Sequence, residues 1–203
     1  MNNIPTWLKK MPSDIEIETP AEIKIPVATM RRCPAIFEMF KNSYTITSQQ
    51  DIMIKPDDGN ALYHTPNFDF DAISVFDKSQ MVGYNVCHAK INTSWVLAEK
   101  SGVDFMIIDD YWNNYEQPWR VVPGIVEFKY QNELNVNISS APTLDQYMIK
   151  SNQPIAMLYP VSDKKVVINH HLITEDEWNM RKSSSYRHSY IGNYVKNKMK
   201  NTG

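Results

Sequence analysis

The stretch that most strongly decides the fold is "VPGIVEFKYQNELNVNI", residues 122–138, and "YMIKSNQPIAMLYP" follows it at residues 147–160. Both stretches are rich in β-branched and aromatic residues and are broken by a short polar turn. This pattern is typical of strand–turn–strand units. Outward from these stretches, strand-like pieces recur at spacings of about 8–12 residues, with few helices between them. The sequence therefore predicts a mainly β fold, a sandwich, barrel or related architecture.

Other predicted strands lie on both sides of the opening stretch. Upstream, "DIEIE" (14–18) and "EIKIPV" (22–27) alternate polar with β-branched residues, as half-exposed strands do, and Pro20 and Pro26 bound them. The remaining strand-like pieces are "YTITS" (44–48), "DIMIKP" (51–56), "AISVF" (72–76), "MVGYNVCHA" (81–89), "SWVLAE" (94–99), "VDFMII" (103–108) and "KKVVINH" (164–170). "PDDGN" (56–60) is expected to be a turn, and "KSG" (100–102) a hairpin turn.

Two segments predict helices. In "CPAIFEMFKNS" (33–43), Pro34 suits the first helical turn and apolar residues occupy neighbouring faces. "TEDE" (174–177) matches a capping box, in which Thr174 accepts from the first-turn amides and Glu177 returns the bond. Beyond it, apolar residues recur at helical spacing, and the serines at 183–185 allow a break.

Composition limits the class of protein. The chain has 203 residues, 42% of them hydrophobic, which suits one large β domain or one domain with an appendage. Its two cysteines, Cys33 and Cys87, are expected to be reduced thiols in a cytoplasm. Because no signal-peptide core and no 18-residue apolar run is present, we expect neither export by that route nor a membrane span.

Charge is distributed unevenly. No acidic residue follows Glu177, whereas six basic residues do, so the tail carries +6. Since the whole chain carries −2, residues 1–177 carry −8. The sequence therefore combines a basic C-terminal element with an acidic body.

The opening stretch resembles a motif of the trimeric dUTPases and dCTP deaminases, which have a β-clip fold. Its residues Pro123, Gly124, Ile125, Val126, Glu127 and Tyr130 match the family's Pro-Gly-Ile-Val-Asp motif and its tyrosine. Ile149, Lys150, Ile155, Ala156 and Leu158 match a second motif of the family at the right spacing. The resemblance covers residues 120–161 and implies a β-clip, dUTPase-like sandwich. It also implies a nucleotide-binding enzyme in which Glu127 and Tyr130 carry the catalytic roles.

The sequence departs from that family where chemistry is performed. Glu127 replaces the Asp that orients the attacking water, and the extra methylene moves the carboxylate by about 1.5 Å. Asn132 replaces a glycine, Asn152 and Gln153 replace Gly-Asp, and Met157 replaces a glutamine. The family's Arg-Ser-Ser phosphate motif and Gly-rich C-terminal arm are missing from this sequence. We therefore expect the scaffold without the enzyme.

A second, looser resemblance covers more of the chain. The order "MRRCPAIFEMF", "PGIVE" and "PIAMLYP" is similar to uncharacterised proteins encoded by tailed phages. This resemblance implies an origin and a location in host cytoplasm or virion. Together the patterns divide the chain into N-terminal strands and a short helix (1–43), a β-sandwich or β-clip domain (44–173) and a basic helical tail (174–203).

A metal site is the weaker interpretation of the histidines. His88 and one of His170 or His171, with His64, Asp69 or Asp71 in support, could hold one metal ion in an oxygenase-like β fold. No ligand spacing typical of a metal site supports this, and adjacent side chains on a strand point to opposite faces. The ordinary interpretation is surface or hydrogen-bonded histidines, so we expect no cofactor.

Two further segments are candidates for binding. "YWNNYEQPW" (111–119) could be a recognition loop that uses Tyr111, Trp112, Tyr115 and Trp119, or the plug of a sandwich end. The tail, with Arg181, Lys182, Arg187, Tyr190 and Tyr194, could contact nucleic acid. Tyrosines at such spacing more often form the packed face of a helix, so we favour docking onto an acidic protein surface.

The sequence therefore favours a non-enzymatic structural or interaction protein, phage-encoded, that assembles with other subunits as a homo-oligomer. Aromatic loop, edge strands and helical tail are the expected contacts. The alternatives are a divergent dUTPase-like enzyme and, less favoured, a metal-dependent oxygenase-like enzyme.

Overall fold

The computed structural model describes residues 4–57, 60–64, 73–75, 87–114, 116–129, 131–141 and 143–188. The fold is mainly β, with several antiparallel sheets and a few short helices, as the sequence predicts. The chain forms two compact units, Met1–Tyr44 and Thr45–Gly203. Among the described residues, no helix combines the length and the apolar character that a membrane span requires.

The first unit contains two helices and a two-stranded ribbon. Its elements are α1 (Thr6–Lys10), β1 (Asp14–Glu18), β2 (Lys24–Ala28), a 3₁₀ turn (Met30–Arg32) and α2 (Pro34–Asn42). Helix α2 begins with Pro34 at its first turn, as its sequence predicts, and α1 was not predicted. Leu8 and Phe40 are buried, and the rings of Trp7 and Phe40 meet edge to face with centroids 6.1 Å apart.

The second unit is built from three antiparallel sheets and a C-terminal helix. Its strands are β3 (Tyr44–Thr47), which starts one residue before the unit boundary, β4 (Ile52–Asp57), β5 (Asn60–His64), β6 (Ile73–Val75), β7 (Cys87–Val96), β8 (Asp104–Ile108), β9 (Trp119–Val121), β10 (Gly124–Val126), β11 (Glu133–Ser140), β12 (Tyr147–Ile149) and β13 (Pro154–Val161). Its helices are α3 (Tyr111–Asn114) and α4 (Glu175–His188). The sheet orders are β10-β8-β13-β3, β6-β7-β11-β9 and β12-β4-β5.

Side-chain alternation explains which strands lie at the core. In β7 from Cys87 to Thr93, and throughout β11, every second residue is buried, so each strand has one buried face and one half-exposed face. In β13, residues 155–158 are all buried, which is expected for a strand covered on both faces. The core of the second unit therefore lies between these strands, and residues such as Phe105, Leu134 and Ile138 fill it.

Several predicted elements differ from the observed ones. The pieces 81–89 and 94–99 are not two strands, since β7 runs unbroken from Cys87 to Val96, and residues 81–86 lie outside the described residues. "KSG" (100–102) is not a hairpin turn, because β7 and β8 belong to different sheets. Residues 165–170 of "KKVVINH" are in neither strand nor helix. Helix α4 passes through the serines at 183–185 without the break that we allowed.

Candidate functional site

The β1–β2 ribbon presents an apolar face that the chain leaves largely uncovered. Ile15 pairs with Val27 and Ile17 with Ile25, so these four side chains share one face. Ile15 is 48% exposed, Ile17 42% and Ile25 40%. The strands form where the alternation predicts them, yet the apolar face of this ribbon is not buried. A two-stranded ribbon is marginal by itself in water, and an exposed apolar face is a typical feature of interaction surfaces.

The two outer edges of the ribbon are not equivalent. The Thr19 amide donates to the Ile23 carbonyl and the Thr29 amide to the Ser13 carbonyl, each at 3.0 Å. Because hydrogen-bonded pairs alternate in antiparallel strands, the backbone groups of Glu16 and Pro26 point outward. Pro26 has no amide hydrogen and closes the outer edge of β2 at its central residue, whereas the backbone groups of Lys24 and Ala28 also point outward. The prediction that Pro26 bounds the strand is therefore wrong. Pro26 lies in the middle of β2, at a position that tolerates proline.

The outer edge of β1 is open and acidic. Among the described strands β1 pairs with β2 alone, so the outward backbone groups of Glu16 and Glu18 have no strand beside them. The segment 14–22 holds four acidic residues and no basic one. Asp14 pairs with the Arg32 guanidinium at 2.5 Å, whereas within the described part of the chain Glu16 and Glu18 form no ion pair. An exposed strand edge with free hydrogen-bonding groups is a template for another strand.

A second exposed feature lies in the other unit. Residues 164–173, "KKVVINHHLI", connect β13 to α4, and we call them the connecting segment. Val167 is 66% exposed and Leu172 fully exposed, whereas Val166 and Ile168 are half-buried. The segment is therefore an irregular stretch with one side on the protein and a second side, partly apolar, in solvent.

The predicted aromatic loop is divided by burial. Tyr111 is 51% exposed and Trp112 is half-buried, and their rings meet edge to face with centroids 5.4 Å apart. Trp119 is completely buried as the first residue of β9 and therefore belongs to the core. Tyr115 lies outside the described residues. A recognition role can thus involve Tyr111 and Trp112, but Trp119 cannot meet a partner without leaving the core.

The dUTPase-like motif is spread over two sheets. β10 pairs with β8, whereas β11 pairs with β7 and β9, and a turn in which the Gln131 amide donates to the Glu127 carbonyl (3.1 Å) joins them. Glu127 is half-buried, and Tyr130 lies outside the described residues.

The second motif forms a tight turn. Asn152 has φ 63°, a left-handed conformation that suits the glycine of the dUTPase motif and that asparagine tolerates. The side-chain oxygen of Gln153 accepts from the Lys150 amide at 2.9 Å, and the Gln153 amide donates to the Lys150 carbonyl at 3.0 Å. Asn152 and Gln153 therefore form a tight turn between β12 and β13.

The histidines are not gathered into a metal site in the described part of the chain. His88 is half-buried on β7, where burial lowers its pKa, while His170 and His171 are exposed in the connecting segment. No group of three or more histidine, cysteine, aspartate or glutamate side chains that could hold a metal is found among the described residues. The side chain of His64 and all of Asp69 and Asp71 lie outside them.

Only part of the basic tail is described. Arg181 lies on α4 and donates through Nε and Nη2 to Glu177 Oε1 at 3.1 and 2.7 Å, so its charge is balanced within the helix. The Glu177 amide donates to Thr174 Oγ1 at 3.2 Å, which is half of the predicted capping box. The side chains of Lys182 and Arg187, and the whole of Tyr190 and Tyr194, are outside the described residues.

Sequence reasoning missed a buried acidic pair at the end of β8. Asp110 is completely buried, and its Oδ2 accepts from Asn113 Nδ2 at 2.8 Å. Asp109 faces the Arg120 guanidinium at 3.7 Å. Burial raises the pKa of both carboxyl groups, and for Asp109 the Arg120 charge opposes the rise. One oxygen of each carboxyl is buried without a hydrogen-bond partner among the described residues.

A second buried polar cluster lies where β7, β11 and β12 meet. Ser140 is directly opposite Cys87, and Tyr147 Oη donates to Ser140 Oγ at 3.3 Å. Burial raises the pKa of Cys87 and, to about 12, that of Tyr147. The cluster keeps neutral hydroxyl and thiol groups inside the core and offers no ionised nucleophile at neutral pH.

The comparisons with known proteins do not identify a family. No protein-family model matches the chain, and no curated protein matches it. The candidate site therefore rests on geometry alone: the isoleucine face of the ribbon and the open edge of β1. The sequence signal that could have found this edge is a proline on one strand and none on its partner, once the register is known.

Proposed function

We propose that this protein is a non-enzymatic interaction component of a larger assembly, phage-encoded and acting in host cytoplasm or virion. The observation that carries the proposal is the β1–β2 ribbon, whose isoleucine face is exposed and whose β1 edge is open. Its direct partners are further protein subunits, and copies of the same chain are the first candidates.

The energetics of the ribbon favour a partner. Covering the exposed part of each isoleucine stabilises the complex by about 1 kcal/mol at roughly 25 cal/mol per Å². Addition of a strand to β1 satisfies the outward backbone groups of Glu16 and Glu18, which have no strand beside them among the described residues. A contact this small is weak by itself, and many copies of the contact within one assembly together give a stable complex.

The scaffold of the second unit is proposed to be β-clip-like. The match of residues 122–130 and the left-handed Asn152 in the turn of the second motif support this. The absence of the family's phosphate-binding motif from the sequence, and the Glu127 replacement, favour a scaffold that has lost nucleotide hydrolysis.

The test of this function is the native mass of the purified chain. In sedimentation across a wide concentration range, the wild type should gain mass as concentration rises. Ile15→Lys/Ile17→Lys should abolish that gain, because it places two charges on the ribbon face. Val161→Lys, at another exposed apolar residue, is the matched control and should behave as wild type. The proposal fails if the ribbon variant and the wild type have the same mass curve.

A divergent nucleotide-binding enzyme is the second candidate, favoured by the left-handed conformation of Asn152 at the position where the resemblance has a glycine. Its test is thermal stabilisation by dUTP, dCTP and their monophosphates with Mg²⁺. Stabilisation that Glu127→Ala removes would support binding at this motif. No stabilisation at millimolar ligand would exclude it.

A further inference from the structure

We propose that the outer edge of β1 in one copy accepts the connecting segment of a second copy as a third, antiparallel strand. This inference rests on the proposed function and names the partner of the ribbon. Residues 165–170 are the part of the segment that forms the added strand.

The backbone of the segment is ready for pairing. Residues 165–170 are neither strand nor helix, and among the described residues Val167 and Asn169 make no hydrogen bond. The outward groups of β1 belong to its even-numbered residues. In the proposed register, the isoleucine side chains of β1 lie on the same face of the three-stranded sheet as Val166 and Ile168. Glu16 is then directly opposite Val167, and Asp14 is directly opposite Asn169. The amides of the odd-numbered segment residues then meet the open edge.

The side chains of both strands agree with that alignment. Val166 and Ile168 are half-buried, so they already face the protein, and Lys165 and Val167 face solvent. In the proposed register Ile17 is opposite Val166 and Ile15 opposite Ile168. The ribbon face thereby turns towards the body of the second copy. Apolar side chains thus lie inward on both strands, and the outward side chains are polar except for Val167, which is broadly the pattern of a half-buried sheet.

Charge selects the connecting segment rather than a second β1 strand. Pairing of β1 with β1 would place Asp14, Glu16 and Glu18 opposite one another, and like charges directly opposite are destabilising. The connecting segment has Lys164 and Lys165 and no acidic residue. In the proposed register Lys165 is opposite Glu18, which is already flanked by Lys24 on β2.

Proline substitutions test the edge directly. Glu16→Pro removes one outward amide hydrogen and leaves the ribbon's own bonds intact, since Pro26 occupies the equivalent place on β2. We expect it to weaken self-association about tenfold or more, whereas Glu16→Thr, which keeps the amide, changes it less than about threefold. Glu18→Pro, at the next outward amide, replaces Glu16→Pro if the latter does not fold.

The partner strand is tested in the same way. Val167→Pro should weaken self-association as much as Glu16→Pro, and Val167→Thr should not. Each proline variant retains one half of the contact. A mixture of the Glu16→Pro chain and the Val167→Pro chain should therefore form a one-to-one dimer and grow no further.

The outcomes separate this inference from the function on which it rests. The inference is overturned if the Val167→Pro chain associates like wild type, if the mixture stays monomeric, or if the wild type is monomeric at every concentration. If Ile15→Lys/Ile17→Lys abolishes association while Val167→Pro has no effect, the ribbon is an interaction surface with another occupant. If neither variant changes association, the proposed function fails as well.

Discussion

At the scale of single residues, Asp110 is the side chain whose environment conflicts most with its charge. It is completely buried, and only one of its carboxyl oxygens is satisfied among the described residues. Burial raises its pKa, while its bonds from Asn113 oppose the rise. Asp110 therefore fixes the start of α3, and the free-energy cost of burying its carboxyl group depends on whether that group is ionised.

This cost predicts a pH dependence of stability. The pKa of the Asp110 carboxyl group is higher in the folded state than in the unfolded state, so the folded state keeps the proton to a higher pH. The free energy of unfolding therefore falls as pH rises from the unfolded pKa to the folded pKa. Relative to Asp110→Asn, the wild type should lose free energy of unfolding across that window. Urea denaturation at several pH values measures this, with the exposed Asp145→Asn as control. A constant difference between wild type and Asp110→Asn would contradict it.

Glu99 shows the opposite balance. Burial by itself would raise the pKa of Glu99, but hydrogen bonds from Ser101, Gly102 and Val103 outweigh burial, so the pKa is lowered. Its Oε2 accepts the Gly102 amide at 2.7 Å, and Gly102 has φ 80°, so the carboxylate fixes a turn that needs glycine. The Glu99 side chain therefore fixes the turn at residues 99–103 in the loop between β7 and β8.

Loss of this carboxylate should destabilise the second unit. We expect Glu99→Ala to lower the free energy of unfolding by about 1–2 kcal/mol at neutral pH. Because the folded pKa is lowered, this contribution is present above the unfolded pKa and disappears as pH falls through the folded one. Chemical denaturation at neutral and acidic pH measures it, and Glu116→Ala, at an exposed glutamate, should have little effect.

At the scale of elements, β7 contains a β-bulge opposite β11. Its register with β11 shifts between Glu133 and Asn135, where three residues of β7 oppose Leu134. Thr93 Oγ1 donates to the Leu134 carbonyl at 2.5 Å and accepts from the Trp95 amide at 3.2 Å. The hydroxyl thus satisfies backbone groups that the bulge removes from the ladder.

This arrangement gives a direct mutational test. Thr93→Val keeps the shape of the side chain and removes both bonds, which leaves the buried Leu134 carbonyl unsatisfied. We expect a loss of about 1–3 kcal/mol in the free energy of unfolding. Thr45→Val, on the exposed face of β3, should change it by less than about 0.5 kcal/mol. Equal effects of the two substitutions would exclude a special role for Thr93.

Local patterns predicted strands well and their pairing poorly. Alternation located β1, β2 and β8 within two residues, because side-chain period depends on the strand alone. Which strands share a sheet depends on contacts distant in sequence, so "KSG" resembled a hairpin turn although it joins two sheets. The connecting segment has strand-like residues and no strand partner within the described chain. The difference between the two ribbon edges could not be predicted, since it follows from the register of β1 and β2, which puts the backbone of Pro26 outward.

At the scale of the whole molecule, the connecting segment should report assembly through proteolysis. It is exposed and irregular, and Lys164 and Lys165 begin it. Limited trypsin digestion should cut there in dilute protein and be slowed several-fold at concentrations where mass increases, because a paired strand does not fit a protease cleft. In the Glu16→Pro chain the cut should stay equally fast at both concentrations. Concentration-dependent protection in that variant would contradict the pairing.

Pro26 has a consequence for the way copies can be joined. With the edge of β2 closed at Pro26, each copy has, in the described part of the chain, β1 as the proposed acceptor strand and the connecting segment as the proposed donor, so successive contacts of this kind all run in the same sense. Such a series has a head and a tail. The rotation from one copy to the next then decides between a closed ring and an open filament, and the closed edge prevents the ribbon from nucleating an unlimited stack of strands.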